Sequence, residues 1–323
     1  MAADKDLVKD LVIGIDVGGQ TTKCGVVDAR GAVLSQTVVR SDTTDDVDVY
    51  IAEVSAALKK LIADAEAEGR IRGIGVGAPN ANYYTGEIAN AVNLTWGGNN
   101  NIKFADLLST AMDGIPVTIT NDANAAAMGE MTYGAARGMK NFIMITLGTG
   151  VGSGIVINGE MLYGHDGFAG ELGHTCVVRN NGRLCNCGLT GCLETYCSAT
   201  GVARTAREWL ELSDEPSQLR SLDKIASKDV YEAAKAGDKL AKKIFDFTGT
   251  MLGRAFADFI AFSSPEAIVL FGGLARSKEF LTEPILKAMN TYVLPLWRGK
   301  VKLVYSSLKE SDAAILGASA LAW

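Results

Sequence analysis

Two stretches decide the fold: VIGIDVGGQTTKCGVV at residues 12–27 and FIMITLGTGVGSGIVI at residues 142–157. Each reads as an apolar run of strand length, a glycine-rich turn and a second apolar run. Gly turns between strands are common, so either stretch alone is an ordinary hairpin. The same order of apolar run, dense glycine and apolar run at both places reads as an internal duplication. It predicts two similar lobes, each opening on a hairpin whose turn faces a shared cleft.

Working outward, the first stretch spans strands at Leu11–Val17 and Thr22–Asp28, and Val33–Val39 continues the pattern as a third. Three strands with tight links form an antiparallel meander. Residues 45–68 carry Val47, Ile51, Val54, Leu58, Leu61 and Ile62 at helical spacing, and Ile71–Val76 and Pro116–Thr120 read as buried parallel strands. After the second stretch the chain is mostly helical. Its longest candidate is Asp238–Phe262, with a core stripe of Leu240, Ile244, Phe247, Met251, Ala255, Phe259 and Phe262. Strands follow at Glu266–Phe271, ending in Gly272-Gly273, and at Val301–Tyr305, before a last helix at Asp312–Leu321. Strands alternating with helices in both halves make an α/β fold. The expected lobes are residues 1–120, with the C-terminal helix 311–323 packing back on them, and a larger lobe of residues 121–310.

Composition narrows the function. Of 323 residues, 48% are hydrophobic and 21% charged, which fits globular domains and not disorder. With 31 Lys and Arg against 37 Asp and Glu, the net charge of −6 disfavours nucleic acid and anionic membrane as partners. The first ten residues lack an apolar signal core and no apolar run reaches membrane-spanning length, so a cytoplasmic protein is expected. Five of the six cysteines fall between Cys176 and Cys197, and without export signals a disulfide framework is the weaker account of them.

The turns look built for phosphate. Asp16-Val17-Gly18-Gly19-Gln20-Thr21-Thr22-Lys23 sits at a strand end, where glycines let backbone N–H groups approach anionic oxygens. Asp16 would orient Mg2+, a hard cation that prefers oxygen ligands. Leu147 to Gly154, with Thr149 and Gly150 at its centre, repeats the device in the second half, and Gly272-Gly273 follows a third strand. Because Gly148–Gly154 leads into a strand and not a helix, this is no dinucleotide fingerprint.

Between the two turns, the strand ending at Thr120 runs into Asn121-Asp122 and an alanine-rich helix start. Asp122 is either the N-cap of that helix or a general base that takes the proton from an attacking hydroxyl, with Asn121 holding a neighbouring one. Set beside two phosphate turns, the base is the preferred reading. His174, Cys185, Cys187 and Cys192, spaced H-x10-C-x-C-x4-C, make a closed tetrahedral set for structural Zn2+. Gly182, Gly188 and Gly191 permit the turns of this small zinc knuckle. Glu171 and Glu194 flank it, as solvated surface groups or as partners for vicinal sugar hydroxyls, and the second ring nitrogen of His174 offers another contact. Asn80, Asn93, Thr95, Trp96 and Asn99 form a polar loop with one aromatic, either plain turn chemistry or a lid over a sugar face.

With these residues in place, the chain resembles the ROK family of sugar kinases and sugar-responsive repressors over nearly its whole length. The most specific match is Glu171-Leu172-Gly173-His174 followed by Cys185-Asn186-Cys187-Gly188-Leu189-Thr190-Gly191-Cys192-Leu193-Glu194. The resemblance implies a two-lobed, actin-like (ribonuclease H-like) ATPase fold with ATP in the interlobe cleft. It implies Asp122 as catalytic base, zinc on His174, Cys185, Cys187 and Cys192, and sugar contacts from Asn121, Glu171, His174 and Glu194. Asn93-Leu94-Thr95-Trp96 resembles a glucokinase-type sugar loop. The phosphates would lie near Gly18, Gly19, Thr149 and Gly150, and the adenosine near Gly272 and Gly273. Two positions depart from the family pattern: Gln20 stands where Thr usually follows Gly-Gly, and Asn80 where Gly usually follows Pro79.

The expectation is therefore an ATP-dependent hexokinase acting on glucose or a related hexose. Its rivals are a kinase for fructose, mannose or an N-acetylhexosamine, a non-catalytic sugar-binding protein, and a repressor. The last needs a DNA-binding module, and only ten residues precede the first strand. The family tendency adds a homo-oligomer, dimer or tetramer, to the expected partners.

Overall fold

The structure, a computed structural model, describes residues 9–98 and 100–323. Asn99 of the polar loop lies outside these residues. The strand β1 (Leu11–Val17) has both faces buried, with Val12, Ile13 and Ile15 fully excluded from solvent. Such a strand needs partners on both edges and cover on both faces, and it has them.

The chain divides into two compact units. The first holds residues up to Gly138 together with Met161–Ala169 and Ser307–Trp323, and the second holds Met139–Glu160 and Gly170–Ser306. In the first unit β1 continues as an antiparallel meander into β2 (Thr21–Asp28) and β3 (Val33–Arg40). Helix α1 (Val47–Asp64) follows, its first N–H groups capped by the carboxylate of Asp46. Then come β4 (Ile71–Gly77), the two-residue strands β5 (Ile88–Ala89) and β6 (Asn101–Ile102), helix α2 (Phe104–Ala111), β7 (Val117–Thr120) and α3 (Asp122–Thr132). The five main strands are ordered β3-β2-β1-β4-β7, with β1, β4 and β7 parallel.

In the second unit, β8 (Phe142–Leu147), β9 (Val151–Ile157) and β10 (Glu160–Met161) precede α4 (Glu194–Cys197), α5 (Ala199–Leu212), α6 (Ser227–Lys235) and the 25-residue α7 (Lys239–Ser263). Strand β11 (Ala267–Phe271), α8 (Lys278–Tyr292) and β12 (Lys302–Tyr305) complete it. Its sheet is ordered β10-β9-β8-β11-β12, with β8–β9 antiparallel and β8, β11 and β12 parallel. Position for position this is the order of the first sheet, so the duplication read from the two glycine turns extends to all five strands.

The last helix, α9 (Glu310–Ser319), belongs to the first unit and lies on its sheet. Glycine makes the contact: a Cβ on Gly14 would stand 2.0 Å from the Ile315 carbonyl oxygen, and one on Gly75 1.9 Å from that of Ala318. Ile315 and Leu316 cover Val12 and Val27, while the opposite face of the sheet packs Ile13, Ile15 and Ile74 with Val54, Leu58 and Phe104.

Two sequence expectations need correction. The boundary at residue 120 is displaced, because α3 packs on α9 so closely that Gly129 faces the Gly317 backbone. Residues 161–169 also join the first unit, where Asn82 donates to the Asp166 carbonyl (2.6 Å) and Tyr83 stacks on Tyr163. On α7, burial ends with Phe259 and Ile260, and Phe262 is 92% exposed. Helical spacing places Phe262 on the stripe, but the stripe is core only where neighbouring elements reach it. Among the described residues no helix is long and apolar enough to cross a membrane.

Candidate active site

In each unit the residues singled out by sequence gather where parallel strands end, the side on which open α/β sheets bind ligands. In the first unit these are the ends of β1, β4 and β7. Asp16 is on the last turn of β1, directly opposite Lys23 in the β1–β2 register. Gly18, Gly19 and Gln20 form the turn, in which the Gly18 N–H donates to the Thr21 carbonyl (3.0 Å). A Cβ on Gly19 would lie 2.7 Å from the carbonyl oxygen of Asn93, so glycine here lets the Asn93 loop close on the hairpin. Gln20 is exposed, and its carbonyl accepts from Ser41 N–H.

The loop after β4 answers one of the two departures noted above. Asn80 has φ of +53°, the left-handed region that glycine enters freely and asparagine tolerates. Its amide donates to the Asn90 carbonyl (3.1 Å). Asn93 is exposed, whereas Trp96 is buried, stacked on Tyr50 at 4.4 Å. The aromatic of this loop is therefore core of the first unit and not a lid.

At the end of β7 the two candidate roles of Asp122 separate. The helix cap is Asn121, whose side-chain oxygen accepts the Asn124 N–H at 2.7 Å. Asp122 is the first helical residue, and one of its oxygens accepts the Ala123 N–H at 2.8 Å. Its carboxylate keeps access to solvent yet is crowded by protein, and that desolvation raises its pKa against the pull of the Ala123 N–H. Asp16 is raised to about 6, first by desolvation and then by the charge of Asp122, with Lys23 opposing. Two carboxylates that repel each other in this way suit a hard divalent cation.

In the second unit the turn between β8 and β9 is fastened from behind. The Gly148 carbonyl accepts from Ala199 N–H and the Thr149 carbonyl from the Thr200 hydroxyl, both at 2.8 Å. The Val151 N–H donates to Glu194 Oε2 at 3.0 Å. A Cβ on Gly150 would sit 2.3 Å from that oxygen, so glycine at 150 makes room for the carboxylate. Thr149 and Gly150 keep their own N–H groups without an acceptor among the described residues. The neighbouring parallel strand β11 ends at Gly272, with φ of +100° and space for no Cβ beside the Leu147 backbone, and Gly273 follows it.

The side-chain atoms of His174, Cys185, Cys187 and Cys192 all lie within 4.8 Å of one another. Cys187 and Cys192 sulfurs are 3.6 Å apart, and Cys185 Sγ is 3.7 Å from His174 Nδ1. A tetrahedron with metal–sulfur bonds of about 2.3 Å has edges of about 3.8 Å, so the four atoms fit Zn2+. Nδ1 is the ring nitrogen turned to the cysteines, leaving Nε2, which stands 4.0 Å from Glu171. Left-handed Gly188 and Gly191 close the turns between the cysteines. Ser153 ties Glu171 into place, donating its hydroxyl to the Gly170 carbonyl and accepting the Leu172 N–H. Glu194 is no free surface group, since one oxygen accepts the Val151 N–H and the other stands 3.7 Å from Cys185 Sγ.

Sequence reasoning missed Arg183. Its side chain is 8% exposed, lies 4.5 Å above the Tyr196 ring, and donates to the Thr195 carbonyl, Thr205 and Glu208. It braces the knuckle from inside. A lone arginine two residues before Cys185 carries no periodic or motif signal, so only its burial reveals it.

These arrangements can be set beside known proteins. The model of the ROK family matches residues 12–323. Glucokinase of Halalkalibacterium halodurans is 38% identical, over 94% of this chain and 92% of its own. A crystal structure of a ROK family glucokinase from Streptomyces griseus, in complex with glucose and AMPPNP, superposes with a TM-score of 0.75 at 31% identity, covering 96% of this chain and 98% of that one. A ROK family transcriptional regulator superposes with a TM-score of 0.85 at 27% identity, covering 97% of this chain and 77% of its own. Kinases and regulators thus share the fold, and the fold alone does not choose between them. The chain, matched from Val12 to its last residue, belongs to the ROK family.

Proposed function

We propose that this chain is an ATP-dependent hexokinase that transfers the γ-phosphoryl group to the 6-hydroxyl of glucose or a close relative. The observation that carries the reading is the freed carboxylate of Asp122. Asn121 caps the helix, so Asp122 is left at a strand end with a raised pKa and one oxygen uncommitted by the cap. The similarity to glucokinases from several bacteria supports the choice of sugar.

In this mechanism Asp122 accepts the proton of the attacking hydroxyl, and its raised pKa brings it nearer to working pH, where a base transfers protons best. Asn121 keeps its side-chain N–H2 to orient the sugar after its oxygen has gone to the cap. Asn80, Asn93, Glu171, His174 Nε2 and Glu194 supply the remaining sugar contacts. The β1–β2 turn (Gly18, Gly19, Gln20, Thr21, with Lys23) and the β8–β9 turn (Thr149, Gly150) receive the donor's phosphates, and Gly272 and Gly273 its nucleoside. The free N–H groups of Thr149 and Gly150 are donors of the kind that steady developing phosphoryl charge. Asp16 would hold Mg2+, which when bound neutralises phosphate charge. Zn2+ on His174, Cys185, Cys187 and Cys192 would be structural, because four protein ligands leave no open position. The proposal includes the two-lobed actin-like arrangement, a cytoplasmic homo-oligomer and no nucleic-acid partner.

The test is the Asp122→Asn variant in a hexose-dependent ADP-release assay. Turnover is expected to fall by about 10²- to 10⁴-fold while hexose binding, measured calorimetrically, is kept. Wild-type turnover in that variant would remove Asp122 from the chemistry. A wild-type protein that binds hexose but consumes no ATP would instead be a sugar sensor.

A further inference from the structure

Asn93, a proposed hexose contact, and the β1–β2 turn, a proposed phosphate contact, touch within the first unit. The carbonyl oxygen of Asn93 would stand 2.7 Å from a Cβ on Gly19. No backbone hydrogen bond joins the two among the described residues. The polar fastening runs instead through Ser41, the residue after β3. Its N–H donates to the Gln20 carbonyl of the turn at 2.9 Å. Its carbonyl stands 3.2 Å from the hydroxyl of Thr95, which also donates to the Thr44 carbonyl at 2.7 Å. Its own hydroxyl lies 2.8 Å from that of Thr22 in β2.

A second tie runs beside the first. Tyr50 of α1 stacks on Trp96 of the loop and sets its hydroxyl against that of Thr22. Thr22, Ser41 and Tyr50 are all fully excluded from solvent. Stability does not require three buried hydroxyls here, because replacing bonded polar groups with apolar ones of the same shape is often neutral. What a satisfied buried network does supply is a single, rigid arrangement. Thr95 is exposed, yet its hydroxyl is committed to protein carbonyls. It therefore acts on a bound sugar only through its neighbour Asn93.

We infer that Thr95 is a positioning residue: through Ser41 it makes the Asn93 loop and the β1–β2 turn one body, so that hexose and phosphoryl donor each tighten the binding of the other. The inference rests on the kinase reading for what the two elements bind. A hexose that orders the loop orders the turn with it, and the donor then loses less freedom on binding. By linkage the donor tightens hexose by the same factor. Every residue in this path belongs to the first unit.

Calorimetric titration of glucose, with and without saturating Mg-AMPPNP, tests it on the wild type, Thr95→Val and Thr95→Ser. Thr95 is exposed, so both variants are expected to melt with the wild type. Mg-AMPPNP is expected to tighten glucose binding at least about fivefold in the wild type and less than about twofold in Thr95→Val. Thr95→Ser keeps the hydroxyl and should restore the wild-type factor. A merely structural role would weaken glucose equally with and without nucleotide, and that result overturns the inference. So does wild-type coupling in Thr95→Val, or independent binding of the two ligands by the wild type. Absence of hexose-dependent ADP release by the wild type overturns the kinase reading and leaves the coupling measurement standing.

Discussion

Asp16 shows how one side chain can be placed against stability. Its carboxyl is raised to about 6 by desolvation and by the charge of Asp122, so the folded chain binds a proton there more tightly than the unfolded chain does. The sign follows from linkage: the folded state is favoured by protonation, so stability falls as pH rises from about 4 to about 6 and then levels. Asp16→Asn is therefore expected to stabilise the protein at pH 7.5, by about 1–2 kcal/mol after allowance for its partial solvent access. In urea melts that advantage should vanish below about pH 4, and an advantage independent of pH would contradict the assignment. Asp16 stood out in the sequence as an acid at a strand end beside a glycine turn, and Asp122 as an acid where a strand runs into an alanine-rich helix. That Asn121, not Asp122, caps α3 was not legible, since both residues cap helices well and only backbone geometry separates them.

At the level of elements, the glycines of the first sheet record where α9 lies. Gly14 and Gly75 sit on adjacent parallel strands, and both meet α9 backbone oxygens. Read in sequence they weaken strands that are otherwise rich in Val and Ile, and nothing in the strand itself accounts for them. Gly75→Ala is expected to cost about 3 kcal/mol by overpacking, read as a lower urea midpoint with little change in slope. A neutral result would mean that α9 moves away easily. The strands and long helices followed from periodicity to within a few residues. Phe262 escaped because periodicity gives the face of a helix but not where its neighbours stop.

For the whole molecule, the repeated strand order is the feature that sequence revealed only in part. Both hairpins could be read from their glycines, but β10 has two residues and β12 four, too short to show a period. The return of the C-terminal helix to the first unit was expected, but the unit boundary and the second return, at 161–169, were not legible, because contact between distant segments leaves no local mark. The Cys3His cluster is the opposite case, legible because its four donors are compressed into short spacing. Stripping zinc with a chelator is expected to lower the melting temperature and weaken Mg-ATP binding severalfold, because Cys192 lies two residues before Glu194, whose carboxylate accepts the Val151 N–H of the glycine turn. Metal analysis should find one zinc per chain, and unaltered nucleotide affinity in the stripped protein would uncouple knuckle from turn.

The placement of α9 also bears on biosynthesis. The segment that covers the first unit, 307–323, follows the whole second unit in the chain, so on the ribosome Val12 and Val27 stay uncovered until that segment has left the tunnel. The second unit, encoded later, has all its strands outside the tunnel sooner after they are made. The later-encoded unit can thus complete its sheet before the earlier one is covered.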